Sequence, residues 1–221
     1  MIKIQNYDKK KQKLSFVTDM PISLANAIRR SVLEIPVMAI DEVDIIKNDS
    51  ALYDEILAHR IGLIPIKTTK TDKEIKFKLK EVGPKTVYSD DIKPSVGTDL
   101  KLPIVILDKE QEVEMICNAC LGKGIKHIKY SPGLIYYRHS LDIDVLEFVS
   151  VDENGKVNYD EEDLKNRGIS QEQIDKIKSV KEVGELIFEI ESWGQMDVKD
   201  IVVGAIDALD NNLKVLGKAV K

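Results

Sequence analysis

Residues 20–66, MPISLANAIRRSVLEIPVMAIDEVDIIKNDSALYDEILAHRIGLIPI, decide the fold of this chain. Apolar residues at helical spacing predict an amphipathic helix over 22–35, which ends before Pro36 because proline cannot continue the helical hydrogen-bond ladder. A buried strand over 37–46 and a short helix over 51–61 follow. The stretch contains an Arg-Arg pair and no catalytic signature, so it indicates docking on other protein chains rather than chemistry.

Strand patterns dominate the sequence on both sides of this stretch. Over residues 74–80 apolar side chains alternate strictly with charged ones, which predicts a half-buried strand of an antiparallel sheet. The lysine-rich tip at 8–12 joins two N-terminal strands. We interpret it as a solvated hairpin end, with phosphate contact as the alternative. The other predicted strands are 2–7, 13–18, 104–107, 112–121, 134–148 and 184–191.

The last predicted element is a long amphipathic helix that begins at Asp197. Its apolar residues recur at spacings of three and four, and a helix of about 24 residues would be roughly 36 Å long. Such a stripe packs either on the chain's own sheet or on a partner, and the pattern alone leaves both alternatives open. The stripe consists of Val198, Val202, Ala205, Leu209, Leu213, Leu216 and Val220, widened by Ile201 and Ile206.

The order of these elements predicts an α+β fold with a discontinuous domain. Residues 1–37 and 183–221 would form this domain from an antiparallel sheet and two helices, one of them the long C-terminal helix. Residues 38–182 would form an inserted, mainly β domain. Within the inserted domain, about 150–182 is polar and charged, so we interpret it as a short surface excursion with one helix at 170–179.

Composition and charge exclude several classes of protein. The 221 residues include 33 Lys and Arg against 38 Asp and Glu, a net charge of -5, whereas an autonomous nucleic-acid-binding domain is usually net basic. The N-terminus lacks the apolar run of a signal peptide, and no segment approaches the roughly 20 apolar residues that span a bilayer. Two cysteines make no disulfide framework, so we expect a cytoplasmic protein with no membrane partner.

Cys117 and Cys120 form a C-x-x-C spacing, with His127 close in sequence. A structural zinc site needs four ligands, usually two such pairs, and the sequence contains no second pair. Both cysteines also fall in a predicted strand, where positions three apart point to opposite faces. We therefore favour two buried free thiols over a metal or redox site.

Two further groups of polar residues have a chemical and a structural interpretation. His59 lies one turn after Asp54 and Glu55, as an acid–base pair would, but no nucleophile or oxyanion signal accompanies it. A helix-end histidine beside solvated carboxylates is the simpler interpretation. Arg29 and Arg30 are suited to bidentate contacts with carboxylates of a neighbour, although chemistry alone favours a surface pair of little energetic weight.

Longer strings of the sequence are more specific than these patterns. They are LANAIRRSVLEIPVMAIDEVDI, NDSALYDEILAHRIGLIPI, ACLGKGIKHIKYSPGLIYYR and GELIFEIESWGQMDVKDIVVGAIDAL. Together they resemble the family of D-type subunits of archaeal DNA-directed RNA polymerase, the counterparts of the N-terminal region of the bacterial alpha subunit and of the eukaryotic third-largest polymerase subunit. The resemblance covers nearly the whole chain.

The resemblance implies a non-catalytic assembly-scaffold subunit of RNA polymerase, with no intrinsic active site. Such a subunit uses its discontinuous domain to pair with the small L-type subunit, then recruits small adaptor subunits and the large catalytic subunits in transcription. The implied dimer interface is Leu24, Ile28, Val32, Val202, Leu209, Leu213 and Leu216. The implied large-subunit contact is Asn26, Arg29 and Arg30, and the implied docking residues of the inserted domain are Tyr53, Asp54, Glu55, His59 and Arg60.

The chain also departs from parts of the family's pattern. Some members carry an insertion with cysteine-ligated iron–sulfur clusters, but the matching region 146–181 is short here and contains no cysteine, so we expect no iron–sulfur cluster and no zinc. The separate DNA-binding domain of bacterial alpha has no match, so we expect no direct sequence-specific DNA binding. Two alternatives are a generic homodimeric interaction module and, less favoured, a small metal-dependent enzyme using Cys117, Cys120 and His127.

Overall fold

The elements of the chain are those of a computed structural model that describes residues 2–68, 74–141, 147–152, 155–179 and 184–220. The strands are β1 (Ile2–Asp8), β2 (Lys13–Thr18), β3 (Pro36–Asn48), β4 (Ile75–Val82), β5 (Lys85–Tyr88), β6 (Pro103–Leu107), β7 (Glu112–Lys123), β8 (Gly133–His139), β9 (Ser150–Val151), β10 (Val157–Asn158) and β11 (Leu186–Ser192). The helices are α1 (Ile22–Ser31), α2 (Asp54–Gly62), α3 (Glu161–Asn166), α4 (Gln171–Ser179) and α5 (Val198–Ala219).

The first of two compact units comprises Met1–Ala27 and Ile135–Ile190. It contains most of a four-stranded sheet in the order β1-β2-β11-β8. β1 and β2 pair antiparallel, with Ile4 opposite Phe16, so the predicted N-terminal hairpin is confirmed. The Phe16 ring stacks on the ring of Phe188, with centroids 5.0 Å apart, and this aromatic pair joins the hairpin to β11.

The second unit comprises Ile28–Leu134 and Glu191–Lys221. Its central sheet has the order β3-β7-β4 and pairs antiparallel throughout, while β5 and β6 form a separate antiparallel pair. The alternation predicted for β4 is confirmed, because Phe77 and Leu79 are buried and the lysines beside them are exposed. The apolar face belongs to the main core, which includes Met38, Ile40, Leu57, Ile61, Phe77, Leu79, Leu107, Val113 and Met115.

Residues 150–179 contain more structure than the pattern predicted. β9 and β10 form an antiparallel hairpin, and the helix predicted at 170–179 is present as α4. The carboxylate of Asp160 accepts hydrogen bonds from the first backbone N–H groups of α3, so a local N-cap starts this short helix. Leu164, Ile174 and Ile177 form a small buried cluster between the two helices.

Several elements end elsewhere than predicted. α1 stops at Ser31, and the chain continues as a 3₁₀ turn, Val32–Glu34, a common way for a helix to tighten before it ends. α2 begins three residues later than predicted, because Asn48 Nδ2 donates to the Leu52 carbonyl (2.8 Å) and holds the preceding residues in a turn. β8 ends at His139, short of the predicted residue 148, and 142–146 lie outside the described ranges.

The α+β class, with antiparallel sheets and a long C-terminal helix, is confirmed. The two units have different limits from the predicted domains, since α5 belongs to the same unit as the β3-β7-β4 sheet. The predicted division into a discontinuous domain of residues 1–37 and 183–221 and an inserted domain of residues 38–182 stays a prediction. Among the described residues, the helices are all too short or too polar to cross a membrane.

Candidate functional site

One face of α5 packs on its own unit. The carboxylate of Asp197 accepts a hydrogen bond from the Lys199 N–H (2.9 Å) and caps the first turn, where the sequence predicted the helix to begin. Val198, Ile201 and Ala205 are buried in the first two turns. These contacts fix the N-terminal half of the helix.

Farther along α5 the contacts with the unit come to an end. A Cβ on Gly204 would lie 3.2 Å from Cδ1 of Ile35, so the missing side chain allows the close approach of the helix to this residue. Asn212 Nδ2 then donates to Glu34 Oε1 (2.8 Å). Every residue over 211–220 is exposed, so the last turns of the helix extend beyond the unit's core.

A second face of α5, which we call the α5 seam, is apolar and largely exposed. Its residues follow one another at alternating spacings of four and three, the pattern of a helix that packs lengthwise on another helix. Ile206 (47%), Leu213 (58%), Leu216 (60%) and Val220 (79%) are exposed, whereas Val202 and Leu209 are half-buried. The α5 seam consists of Val202, Ile206, Leu209, Leu213, Leu216 and Val220. It therefore presents four residues of the predicted dimer interface, together with Ile206 and Val220, which that interface did not include.

α2 presents a polar surface with one exposed aromatic ring. Tyr53, just before the first turn, is 79% exposed. Asp54 accepts a hydrogen bond from Asn48 Nδ2 (2.8 Å), while Glu55 and His59 are exposed. Carboxylates in the first turn and basic side chains in the last turn both complement the dipole of the helix. This charge order stabilises α2 and needs no catalytic explanation.

Arg60, the last of the predicted docking residues, is bound within its own unit. Its Nε donates to the Ile104 carbonyl and its Nη2 to the Pro103 carbonyl, both at 2.8 Å. The guanidinium therefore fastens α2 to β6 by a pair of charge-assisted hydrogen bonds.

Replacing Arg60 by Ala should lower the free energy of unfolding by about 1.5 kcal/mol, because two carbonyl groups lose a charged donor. Urea unfolding, followed by the fluorescence of Trp193, the one tryptophan of the chain, measures the change. Arg30→Ala, at an exposed position on α1, serves as the control and should leave the midpoint within about 0.5 kcal/mol of the parent. Equal midpoints for both variants would contradict the fastening role of Arg60.

A second polar contact, the Asp41 cluster, connects β3 to the residues after β7. Asp41 is the extra residue of a β-bulge between Ile40 and Glu42, and bulges re-aim side chains. Its Oδ1 accepts hydrogen bonds from Lys129 Nζ (2.7 Å) and from Tyr130 Oη (2.9 Å). The Asp41 cluster consists of Asp41, Lys129 and Tyr130, and it holds together residues that lie almost 90 positions apart in the sequence.

The surroundings of the Asp41 cluster shift two pKa values in opposite directions. Hydrogen bonds from Lys129 and then Tyr130 hold the pKa of the Asp41 carboxyl below its usual value. Burial, followed by the neighbouring Cys120 and Asp41, raises the pKa of Tyr130. The Tyr130 ring lies against β7, where a Cβ on Gly122 would come within 2.5 Å of its Cζ, so this position requires glycine. A cleft of about 150 Å³ beside the cluster is lined by Ile40, Asp41, Val43, Ala58, His59, Gly62, Leu63, His127 and Lys129.

Residues 16–213 match the family model described as the RNA polymerase Rpb3/Rpb11 dimerisation domain. The chain belongs to this family. The match contains α1 and includes α5 as far as Leu213. The helix that carries the α5 seam is therefore an element of the Rpb3/Rpb11 dimerisation domain.

Individual relatives of the Rpb3/Rpb11 family align over most of the chain. The DNA-directed RNA polymerase subunit Rpo3 of Thermococcus kodakarensis is 32% identical over 253 residues, with 95% of this chain and 94% of that protein covered. The Rpo3 subunit of Natronomonas pharaonis is 30% identical over 226 residues, covering 90% and 89%. That of Methanocaldococcus jannaschii is 43% identical over 139 residues, covering 61% and 73%.

The predicted contact residues of α1 and of the 3₁₀ turn after it differ in their accessibility. Leu24 is 44% exposed, whereas Ile28 and Val32 are buried within the chain and offer almost no surface to a partner. Of the predicted large-subunit contact, Asn26 and Arg29 are half-buried and Arg30 is exposed. Helical spacing identified the apolar residues correctly but did not distinguish the chain's own core from a partner surface.

The cysteines do not form a chelating pair in this Rpb3/Rpb11 domain. Cys117 lies on the buried face of β7, and burial raises the pKa of its thiol to about 11. Cys120 lies on the opposite face, only half-buried, with Sγ 3.4 Å from Tyr130 Oη. The expectation that both thiols are buried is thus wrong for Cys120. Across the part of the chain that the structure describes, no three His, Cys, Asp or Glu side chains are grouped to hold a metal ion.

Proposed function

We propose that this chain is the non-catalytic assembly-scaffold subunit of a DNA-directed RNA polymerase and that it pairs with the small L-type subunit through the α5 seam. The observation that carries the proposal is the exposed heptad seam on a helix of the Rpb3/Rpb11 dimerisation domain. The naming of the Rpo3 relatives as polymerase subunits supports it.

The seam is long enough to hold a stable pair. Burying one exposed leucine or isoleucine side chain contributes about 2 kcal/mol, so a seam of this length contributes on the order of 10 kcal/mol before the entropy of association is subtracted. Helix α5 extends over 22 residues, about 33 Å, and a partner helix aligned with it would cover the whole seam. In this proposal, Ile28 and Val32 support the helix from within rather than contact the partner, and Leu24 adds an exposed residue of α1.

Other surfaces are assigned to the subunits that join later. Asn26, Arg29 and Arg30 would contact a large catalytic subunit, since guanidinium groups form bidentate bonds with carboxylates. Tyr53, just before α2, and Glu55 and His59 of α2 would contact an adaptor or large subunit, while Asp54 and Arg60 hold α2 in position. The chain would bind no cofactor and no sequence-specific DNA, and it would act in the cytoplasm.

Light scattering on a sizing column tests the pairing, with the chain alone and co-expressed with the L-type subunit of the same organism. We expect a one-to-one heterodimer that replaces the species formed by the chain alone. A stable homodimer that ignores the L-type chain would reject the proposal and establish the generic homodimeric module in its place.

Replacing Arg29 and Arg30 together by Ala should leave pairing with the L-type subunit intact and weaken recruitment of a large subunit roughly tenfold or more, because two charged donors are lost. Pull-down of the large subunits by the preformed heterodimer measures this effect. Arg167→Ala, at the exposed residue that directly follows α3, is the matched control and should recruit normally. Loss of the heterodimer itself in the double variant would refute this division of roles.

A further inference from the structure

Residues 123–129, which we call the basic loop, have no role in the function proposed above. The loop presents Ile125 and Ile128, each 66% exposed, beside the exposed side chains of Lys126 and His127. Single exposed apolar residues are ordinary, but two within four residues, flanked by cations, indicate a contact surface. The net charge of -5 on the whole chain makes this local concentration of positive charge distinctive.

Contacts along the basic loop fix its conformation. The Ile125 N–H donates to the Leu33 carbonyl (3.1 Å), and Lys129 Nζ is bound to Asp41. The buried side chain of Gln195 donates from Nε2 to the Lys129 carbonyl (3.3 Å). A loop that is already ordered loses little conformational entropy on association, so its exposed isoleucines form a preorganised surface.

The cations of the basic loop are not equally available. Lys129 is 14% exposed and is bound to Asp41 at 2.7 Å, so its charge is largely compensated within the chain. Lys123 is 54% exposed, and its pair with Glu34 is long, at 3.9 Å. Lys123 and Lys126 are therefore the ammonium groups that an incoming carboxylate would meet.

The surface of the basic loop continues onto α2. The cleft beside the Asp41 cluster is lined by His127 and Lys129 from the loop and by His59 and Leu63 from α2 and its end. Leu63 is itself 46% exposed. A partner that lies on the loop would thus reach the α2 residues as well.

We propose that the basic loop and α2 together dock an apolar, carboxylate-bearing segment of one polymerase subunit, different from the subunit that covers the α5 seam. This inference rests on the proposed function. The lysines of the loop favour a segment that carries carboxylates, because the charges are complementary, and the two exposed isoleucines favour apolar residues in the same segment. The exposed part of the loop has no aromatic ring on which a nucleic-acid base would stack, and two isoleucines with two lysines bury too little to anchor a protein on a membrane.

The test uses the heterodimer with the L-type subunit and each remaining subunit of the same polymerase, purified and titrated one at a time. Ile125→Ser with Ile128→Ser removes the apolar contact, and Lys123→Glu with Lys126→Glu reverses the charge. Ile106→Ser, at a 72% exposed isoleucine on β6, is the matched control. Because all these side chains are exposed, each variant should fold, and thermal unfolding of each verifies this.

We expect both double variants to weaken binding of the same one subunit roughly tenfold or more, with pairing to the L-type chain and the Ile106→Ser control unchanged. Unchanged binding of every subunit would overturn the inference. A second possible outcome is that the chain binds a DNA duplex of about 20 base pairs or anionic lipid vesicles, and that replacing Ile125 and Ile128 weakens this binding. That result would overturn the inference in favour of the DNA or the lipid. Failure of the parent chain to pair with the L-type subunit would instead reject the proposed function. Pairing of the parent chain is therefore measured before any loop variant is made.

Discussion

Replacing Leu213 and Leu216 together by Asp should abolish pairing with the L-type subunit, with affinity reduced roughly a thousandfold or more. Each leucine contributes about 2 kcal/mol when buried, and each new carboxylate would be buried without a partner. Both side chains are more than half exposed in the chain itself, so the variant should fold normally. Light scattering and a binding titration with the L-type subunit measure the loss.

The control for this variant lies on the same helix. Val203 and Val215 are 56% and 67% exposed but fall outside the α5 seam. Replacing both by Asp introduces the same charge into α5 and should reduce affinity far less than the seam variant. If the two double variants weakened pairing equally, net charge rather than the seam would control the interaction, and the assigned interface would be rejected.

Replacing Asp41 by Ala should lower the free energy of unfolding by about 3 kcal/mol, the largest stability change expected from one polar side chain in this unit. The Tyr130 hydroxyl and the Lys129 ammonium would both lose their acceptor, and the tyrosine is almost completely buried. Urea unfolding followed by Trp193 fluorescence reports the change, because Trp193 belongs to the same unit. Asp41→Asn, which keeps one acceptor without the charge, should lose only about 1 kcal/mol.

The contribution of Asp41 should also depend on pH. Its pKa is lowered in the folded chain, so its stabilisation is complete above the unfolded pKa of about 3.9 and is lost as pH falls through the lower folded value. The difference in unfolding midpoint between the parent and Asp41→Asn should therefore be constant near neutral pH and decrease below about pH 4. A difference that grew on acidification would contradict the role of the carboxylate as the acceptor.

Elements whose signal is local were predicted well from the sequence. The alternation of β4 and the repeat of α5 reflect which face of a single element is apolar, and neighbouring residues in the sequence carry that information. The apolar stripe of α5 was visible from its spacings of three and four, and the family resemblance, rather than the spacing, assigned most of the seam to a partner. Neither the spacing nor the resemblance reports the depth of burial, so Ile28 and Val32, which the resemblance assigned to a partner, are in fact covered by the chain itself.

Contacts between distant parts of the chain could not be predicted. The role of Asp41 could not be predicted, since neither Lys129 nor Tyr130 is near it in sequence and the bulge that aims its side chain has no clear sequence signal. The same holds for Arg60, whose acceptors are the backbone carbonyls of β6 more than forty residues later. Long-range polar contacts depend on strand register and side-chain direction, both of which are set only when the sheet forms.

The C-terminal turns of α5 have a consequence for how much of this protein a cell retains. Residues 211–219 are helical and each of them is exposed, and an isolated helix of that length is only marginally stable in water. Without a partner this segment frays readily and offers proteases an apolar, accessible substrate. A bound partner would hold the segment in its helical conformation and shield it from proteases. If a partner subunit covers α5 as proposed, we expect copies made in excess of that partner to be degraded first, so that the cellular amount of this chain follows the amount of the partner.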